Sequence, residues 1–206
     1  MPLFLKETTP LWGIWKIEES ASDLLSLLDR KEWYLPFLQK YREEGRRKEW
    51  LAVRVLLKTL LGREVRIGYL EHGAPYLPGE RLHISITHTR GYAAVLVSEK
   101  PFPGIDIEYI SERVKKISRR FMSETELGQI DPASETVHLL LHWSGKETLF
   151  KALQEQEVDF RGDLHIRPFL CSASGTFEAY ETRTLARREY VVSYRVTDEY
   201  VVTYRV

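Results

Sequence analysis

Cysteine is almost absent: Cys171 stands alone in 206 residues. No internal disulfide framework and no cysteine-based zinc cluster can be built from it, and a reducing compartment is the expectation. Net charge is absent too, with 30 Lys+Arg against 30 Asp+Glu and a pI near 7, whereas a general nucleic-acid binder usually carries a strongly basic domain. Uncharged apolar runs of the roughly 18 residues needed to span a bilayer are missing. The opening stretch, Met1 to Lys6, lacks a basic segment followed by a long apolar core, so no signal peptide is read. These absences predict a cytoplasmic protein without nucleic-acid or membrane partners.

Missing motifs exclude several chemistries. Ser144-Gly-Lys-Glu147 holds a Gly-Lys pair, but Glu147 follows where a P-loop needs Ser or Thr, and Leu140 stands where its first glycine belongs. There is no G-x-G-x-x-G for dinucleotides and no G-x-S-x-G nucleophile elbow. His138 and His142 lie four apart on one helical face, but the Glu of H-E-x-x-H and a third ligand are lacking. A partly buried helix face is the reading for that pair.

The 43% apolar content suits a globular chain, and the length suits one large domain or two small lobes. Periodicity predicts two similar lobes, 1–103 and 104–206. In the first, strands are expected over 11–17, 65–69, 82–86 and 92–98, with a helix over 20–29 capped by Ser20. Helix is also expected over 33–61, interrupted at Gly45 and ended by Gly62. In the second, a strand over 105–109 precedes helices over 111–120, 123–129 and 134–153. Strands follow over 164–169, 175–180, 189–196 and 200–206. Ser123 to Glu126 fits a capping box. Each lobe is thus a small antiparallel sheet packed with helices, an α+β pattern.

Three segments carry candidate chemistry. Asp106-Ile-Glu108 alternates on a strand, so both carboxylates share one face. On its own this is the pattern of a solvated strand face. It also suits a hard cation such as Mg²⁺, which takes oxygen ligands and is held by one or two carboxylates plus substrate phosphates. Trp143, Glu147 and Lys151 fall at i, i+4 and i+8 on one side of a helix, an ordinary Glu–Lys pair unless context adds to it. Thr87 and His88 fall between two strands in what reads as a polar loop, where functional groups often sit.

Taken in order, Ile84 to Ala93 (I-S-x-T-H-x-x-G-Y-A), Gly104 to Glu108 (G-I-D-I-E), Arg120 to Glu126 (R-F-x-S-x-x-E) and Trp143 to Lys151 (W-S-x-K-E-x-x-x-K) closely resemble the 4′-phosphopantetheinyl transferase superfamily. The length is similar to its long, two-lobed, surfactin-synthetase-activating type. The resemblance implies a pseudodimer of two lobes. It also implies transfer of the phosphopantetheine arm of coenzyme A to a serine of an apo acyl or peptidyl carrier protein, with release of adenosine 3′,5′-bisphosphate. It places Mg²⁺ on Asp106, Glu108 and Glu147 and makes Glu147 the candidate general base, directly or through a metal-bound water. Lys151 would neutralise phosphate charge, and Thr87 and His88 would contact the adenosine and 3′-phosphate end of coenzyme A. Arg47 and Arg54, in and beyond the basic run 40–48, are either 3′-phosphate ligands or a solvated helix face. Arg113, Lys115, Lys116, Arg119 and Arg120 either dock an acidic carrier or are solvated. Lys146 contacts phosphate or serves the structure.

The chain departs from the family pattern at two places. After Lys151 the usual K-x-x-G-x-G reads with Gln154 and Gln156 in place of the glycines, and Ala74 occupies a turn position that is often basic. These changes favour a rival reading, a non-catalytic relative that binds coenzyme A or a carrier without transfer. The intact Asp106, Glu108, Glu147 and Lys151 make activity the expectation.

Overall fold

The computed structural model describes residues 3–206. Met1 and Pro2, where the segment read for a signal peptide begins, lie outside the described residues. The chain divides into two compact units, Met1–Pro101 and Phe102–Val206. Both mix helices with antiparallel sheet, and among the described residues no helix is long and apolar enough to cross a membrane.

The first unit runs β1 (Leu3–Thr8), β2 (Leu11–Lys16), α1 (Ala21–Ser26), α2 (Leu35–Lys40), α3 (Glu44–Leu61), β3 (Gly68–Tyr69), β4 (Pro75–Tyr76), β5 (His83–Thr89) and β6 (Tyr92–Ser98). Its antiparallel main sheet has the order β1-β2-β6-β5, and β3 and β4 pair as a separate ribbon. Ser20 caps α1 in a box with Asp23, as its sequence position suggested. The apolar stripe of α3, with Val53, Leu56, Leu57 and Leu60 buried, packs on β2 and β6. Gly62, left-handed at φ 69°, ends α3.

Several expectations needed correction here. Strand β1 was not expected, because Lys6 and Glu7 interrupt its apolar alternation at the edge of the sheet. The helical break lies before Gly45, which sits in the first turn of α3. Tyr41 turns extended after α2, and Arg47 reaches back from α3 to donate to the Tyr41 carbonyl at 2.5 Å and to the Leu38 carbonyl. Carbonyls at the end of α2, left without helical donors, are satisfied by that guanidinium. The strand expected over 65–69 is only the two residues of β3.

The second unit runs β7 (Gly104–Tyr109), α4 (Arg113–Phe121), α5 (Glu124–Leu127), α6 (Glu135–Leu153), β8 (Leu164–Ile166), β9 (Ser174–Glu181), β10 (Glu189–Val196) and β11 (Tyr200–Arg205). Its antiparallel sheet has the order β7-β11-β10-β9-β8, with α6 lying across it. Two glycines allow that close approach. A Cβ on Gly104 would press on the Thr148 carbonyl, and one on Gly145 would meet Phe177 Cζ at 2.7 Å. Ser144 and Thr148 on α6 share hydrogen bonds with the Thr203 hydroxyl at 2.9 and 2.7 Å, and Thr203 pairs with Asp106 across the ladder. The helix therefore sits in a fixed register over β7.

Candidate active site

Strand β7 supplies two acids to the space beneath α6. Asp106 is buried and Glu108, two residues on, half-buried, while Ile105 and Ile107, which alternate with them, are fully buried. From α6, Lys151 donates to Asp106 Oδ1 at 2.7 Å and to the Ile105 carbonyl at 3.0 Å. The Trp143 indole N–H donates to Glu108 Oε1 at 2.6 Å. The i, i+4, i+8 stripe of Trp143, Glu147 and Lys151 thus meets the i, i+2 pair of β7.

Crowding of acids shifts their titration. Burial, then the nearby Asp106 charge, pushes both Glu108 and Glu147 up to about 7. At Glu108 the indole N–H opposes the rise, and at Glu147 the Lys151 ammonium does. A carboxyl poised near neutrality can accept a proton from a hydroxyl at physiological pH.

Fit to a metal is a matter of donor chemistry here. The three acids are oxygen donors of the kind a hard divalent cation takes, and their mutual repulsion is what such a cation relieves. Their side chains are not drawn into a ready cluster: among the described residues no group of three or more His, Cys, Asp or Glu is arranged to hold a metal ion. Lys151 and Trp143 occupy one oxygen each of Asp106 and Glu108 instead.

Lys146, for which two readings stood open, serves the structure. It is fully buried and spends all three donors, on the Phe121 carbonyl at 2.6 Å, Glu126 Oε2 at 2.9 Å and the Phe160 carbonyl at 2.9 Å. Glu126 closes the capping box with Ser123 and also accepts from the Ile166 amide at 3.0 Å. Phe121, Ser123 and Glu126 of the R-F-x-S-x-x-E segment therefore join Lys146 in one network that ties α4, α5, α6 and β8 together. The sequence could have flagged this, since a capping-box Glu and a helical Lys on an apolar face need each other when buried.

His138 and His142 are buried, with rings 5.1 Å apart and packed by Phe169. The Asp131 amide donates to His138 Nδ1, and His142 Nδ1 bonds the His138 carbonyl. The expected partly buried face is in fact fully buried.

In the first unit the polar loop expected around Thr87 and His88 does not exist. Strand β5 continues through both and turns only at Arg90-Gly91, where Gly91 is left-handed at φ 78°. They therefore point to opposite faces: Thr87 is buried, and His88 is exposed beside α3, its Nδ1 3.4 Å from Glu49 Oε2. Glu49 was not singled out from sequence, because a glutamate within a mixed-charge run gives no signal of its own. Arg47 is committed to the end of α2. Arg54 is buried, 3.6 Å from the centre of the Trp50 ring, and donates to the Trp50 carbonyl and the Tyr69 hydroxyl; burial lowers its pKa. Neither guanidinium is the solvated helix face that was the other reading.

The second unit thus sets Asp106 and Glu108 of its first strand opposite Glu147 and Lys151 of its long helix. The family model described as the 4′-phosphopantetheinyl transferase superfamily matches residues 103–205. The chain belongs to that superfamily. It is 33% identical over 91 residues to a 4′-phosphopantetheinyl transferase of Bacillus subtilis, a match covering 42% of this chain and 40% of that protein. It is 30% identical over 123 residues to the 4′-phosphopantetheinyl transferase AcpT of Escherichia coli O157:H7, covering 56% of this chain and 63% of that protein. The AcpT of Escherichia coli K12 matches to the same extent. The chain thus spans less than two thirds of the length of these relatives.

Proposed function

We propose that this chain transfers the 4′-phosphopantetheine arm of coenzyme A to a serine of an apo acyl or peptidyl carrier protein in the cytoplasm, releasing adenosine 3′,5′-bisphosphate. The observation that carries the reading is geometric: Lys151 of α6 binds Asp106 of β7 at 2.7 Å, one helical turn from Glu147 on the same side of the helix. Glu147 takes the proton of the carrier serine. The serine oxygen then bonds to the phosphorus that bears pantetheine, and the pyrophosphate bond to the adenosine half breaks. Lys151 holds the negative charge left on that half. Asp106, Glu108 and Glu147 would hold Mg²⁺, which when bound supplies charge neutralisation at the pyrophosphate.

The first unit takes the adenosine and 3′-phosphate end of coenzyme A. His88 is the most available of its candidates, being exposed; Thr87 lies on the other face of β5, and Arg47 and Arg54 have only part of their donors left. On α4, Arg113, Lys116 and Arg120 are exposed at helical spacing and suit an acidic carrier, whereas Lys115 is paired with Glu112 and Glu135 and Arg119 with Glu124. Each unit sets one long helix on an antiparallel sheet, which supports reading the chain as a pseudodimer of two lobes.

The test is intact-mass analysis of an apo carrier protein incubated with this chain, coenzyme A and Mg²⁺. A gain of one phosphopantetheine, lost in EDTA, is expected. Coenzyme A binding without any gain across fatty-acid, polyketide and peptide carriers would replace this reading with the non-catalytic relative.

A further inference from the structure

Trp143 stands between two aromatic rings, Phe121 at 5.1 Å and Phe160 at 5.5 Å between centroids. Its indole N–H is aimed at Glu108 with a bond of 2.6 Å. The backbones of the two flanking residues are held by one atom, because Lys146 Nζ donates to both the Phe121 and the Phe160 carbonyls. Lys146 is in turn fixed by Glu126, itself anchored in the Ser123 capping box and on the Ile166 amide. A buried ion pair is weak evidence for stability, since an apolar replacement of similar volume often folds as well or better. Its geometry here has another consequence, that the clamp around Trp143 is set by groups one layer below the site.

We propose that Trp143 is a positioning residue that fixes the Glu108 carboxylate, and that the buried Lys146–Glu126 pair fixes Trp143 through the Phe121 and Phe160 carbonyls. This rests on the proposed function only for the use made of Glu108; the relay itself is a matter of geometry. An indole is suited to the task because it offers one donor and no acceptor on a rigid plane, so it can orient a carboxylate but cannot exchange a proton with it. Two neighbouring segments of the sequence, R-F-x-S-x-x-E and the Trp143 and Lys146 of W-S-x-K-E, then share one purpose.

Two arms of one experiment test it. In the ¹⁵N-labelled chain, the Trp143 indole resonance is assigned by its loss in Trp143→Phe. A short bond to a carboxylate places that resonance downfield, and Glu108→Gln moves it upfield. The charge-neutral double variant Lys146→Met/Glu126→Gln keeps an acceptor at the capping box and avoids stranding a buried charge. It is expected to move or broaden the same resonance; an unmoved resonance in the folded double variant overturns the relay. If that variant does not fold, Glu126→Gln alone, which takes the charged partner from Lys146 and keeps an acceptor at the capping box, is read in the same way.

In the second arm, Trp143→Phe keeps the packing ring and loses the donor. Calorimetric titration with Mg²⁺ and coenzyme A is expected to show metal affinity falling about tenfold, with kcat reduced while KM for coenzyme A is held. Metal affinity and kcat equal to the wild-type values would show Trp143 to be packing alone. A wild-type chain that neither binds Mg²⁺ nor transfers would instead refute the proposed function, with the resonance arm still deciding the relay.

Discussion

Acid should weaken the second unit through one buried histidine. His142 is 1% exposed on α6, and its Nδ1 lies 3.0 Å from the His138 carbonyl. A carbonyl only accepts, so Nδ1 carries the proton and Nε2 is left as a bare lone pair, buried without a hydrogen-bond partner among the described residues. A second proton would place a charge there, out of reach of water. Burial foremost, with the neighbouring His138 and Lys146 adding to it and the His138 carbonyl and Glu126 opposing, lowers its pKa from 6.5 to about 4. Because the folded pKa lies below the unfolded one, the contribution is present above pH 6.5 and is lost as pH falls toward 4. At about 1.4 kcal/mol per pK unit the full loss is about 3 kcal/mol, of which about 2 is spent between pH 7.5 and 5.

Glu108 and Glu147 act in the same window with the opposite sign, because their folded pKa values lie above 4.5 and protonation favours the folded state. The wild-type curve alone is therefore ambiguous, and the difference from His142→Leu is the quantity to measure. Urea unfolding of both proteins at pH 7.5 and 5 should show the variant gaining about 2 kcal/mol relative to wild type at the lower pH. Parallel pH dependences in the two proteins would refute the buried, neutral assignment.

Other outcomes follow from single contacts. Gln154 takes a left-handed conformation at φ 55° that glycine adopts without strain, so Gln154→Gly should stabilise the fold by up to about 1 kcal/mol in thermal unfolding. A lower melting temperature would contradict this. Gly145→Ala drives a methyl to 2.7 Å from Phe177 Cζ and should cost about 1–3 kcal/mol, read by the same unfolding assay; an unchanged midpoint would show the helix free to shift. His88→Ala should weaken coenzyme A binding about tenfold by calorimetry, the loss of one charge-assisted contact. Equal affinity would leave His88 as a surface partner of Glu49.

The acids were legible because strand and helix periods convert spacing directly into a shared face. Asp106 and Glu108 at i and i+2 could meet Glu147 and Lys151 at i and i+4 only across a strand–helix contact, and glycines at 104 and 145 permit that contact. What escaped depended on partners far along the chain. Whether Lys146 touched substrate or stayed buried turned on the carbonyls of Phe121 and Phe160, which no local pattern announces. The loop expected at Thr87 and His88 failed because two polar residues in a row resemble a turn, whereas pairing with Ala93 and Ala94 keeps them on the strand. The glycine departures look different once dihedrals are known. Helix α6 ends at Leu153 with Gln154 left-handed, a conformation suited to glycine, while the next left-handed residue is Glu157 and not Gln156.

Glu147 is the proposed proton acceptor of a phosphopantetheinyl transfer. The most direct test is the rate of mass gain on an apo carrier protein with Glu147→Gln beside the wild type, at matched folding and saturating coenzyme A and Mg²⁺. A general base contributes about 10²–10⁴-fold, so a loss of at least about a hundredfold is expected with coenzyme A still bound. A Glu147→Gln variant that modifies the carrier at near the wild-type rate would contradict that role.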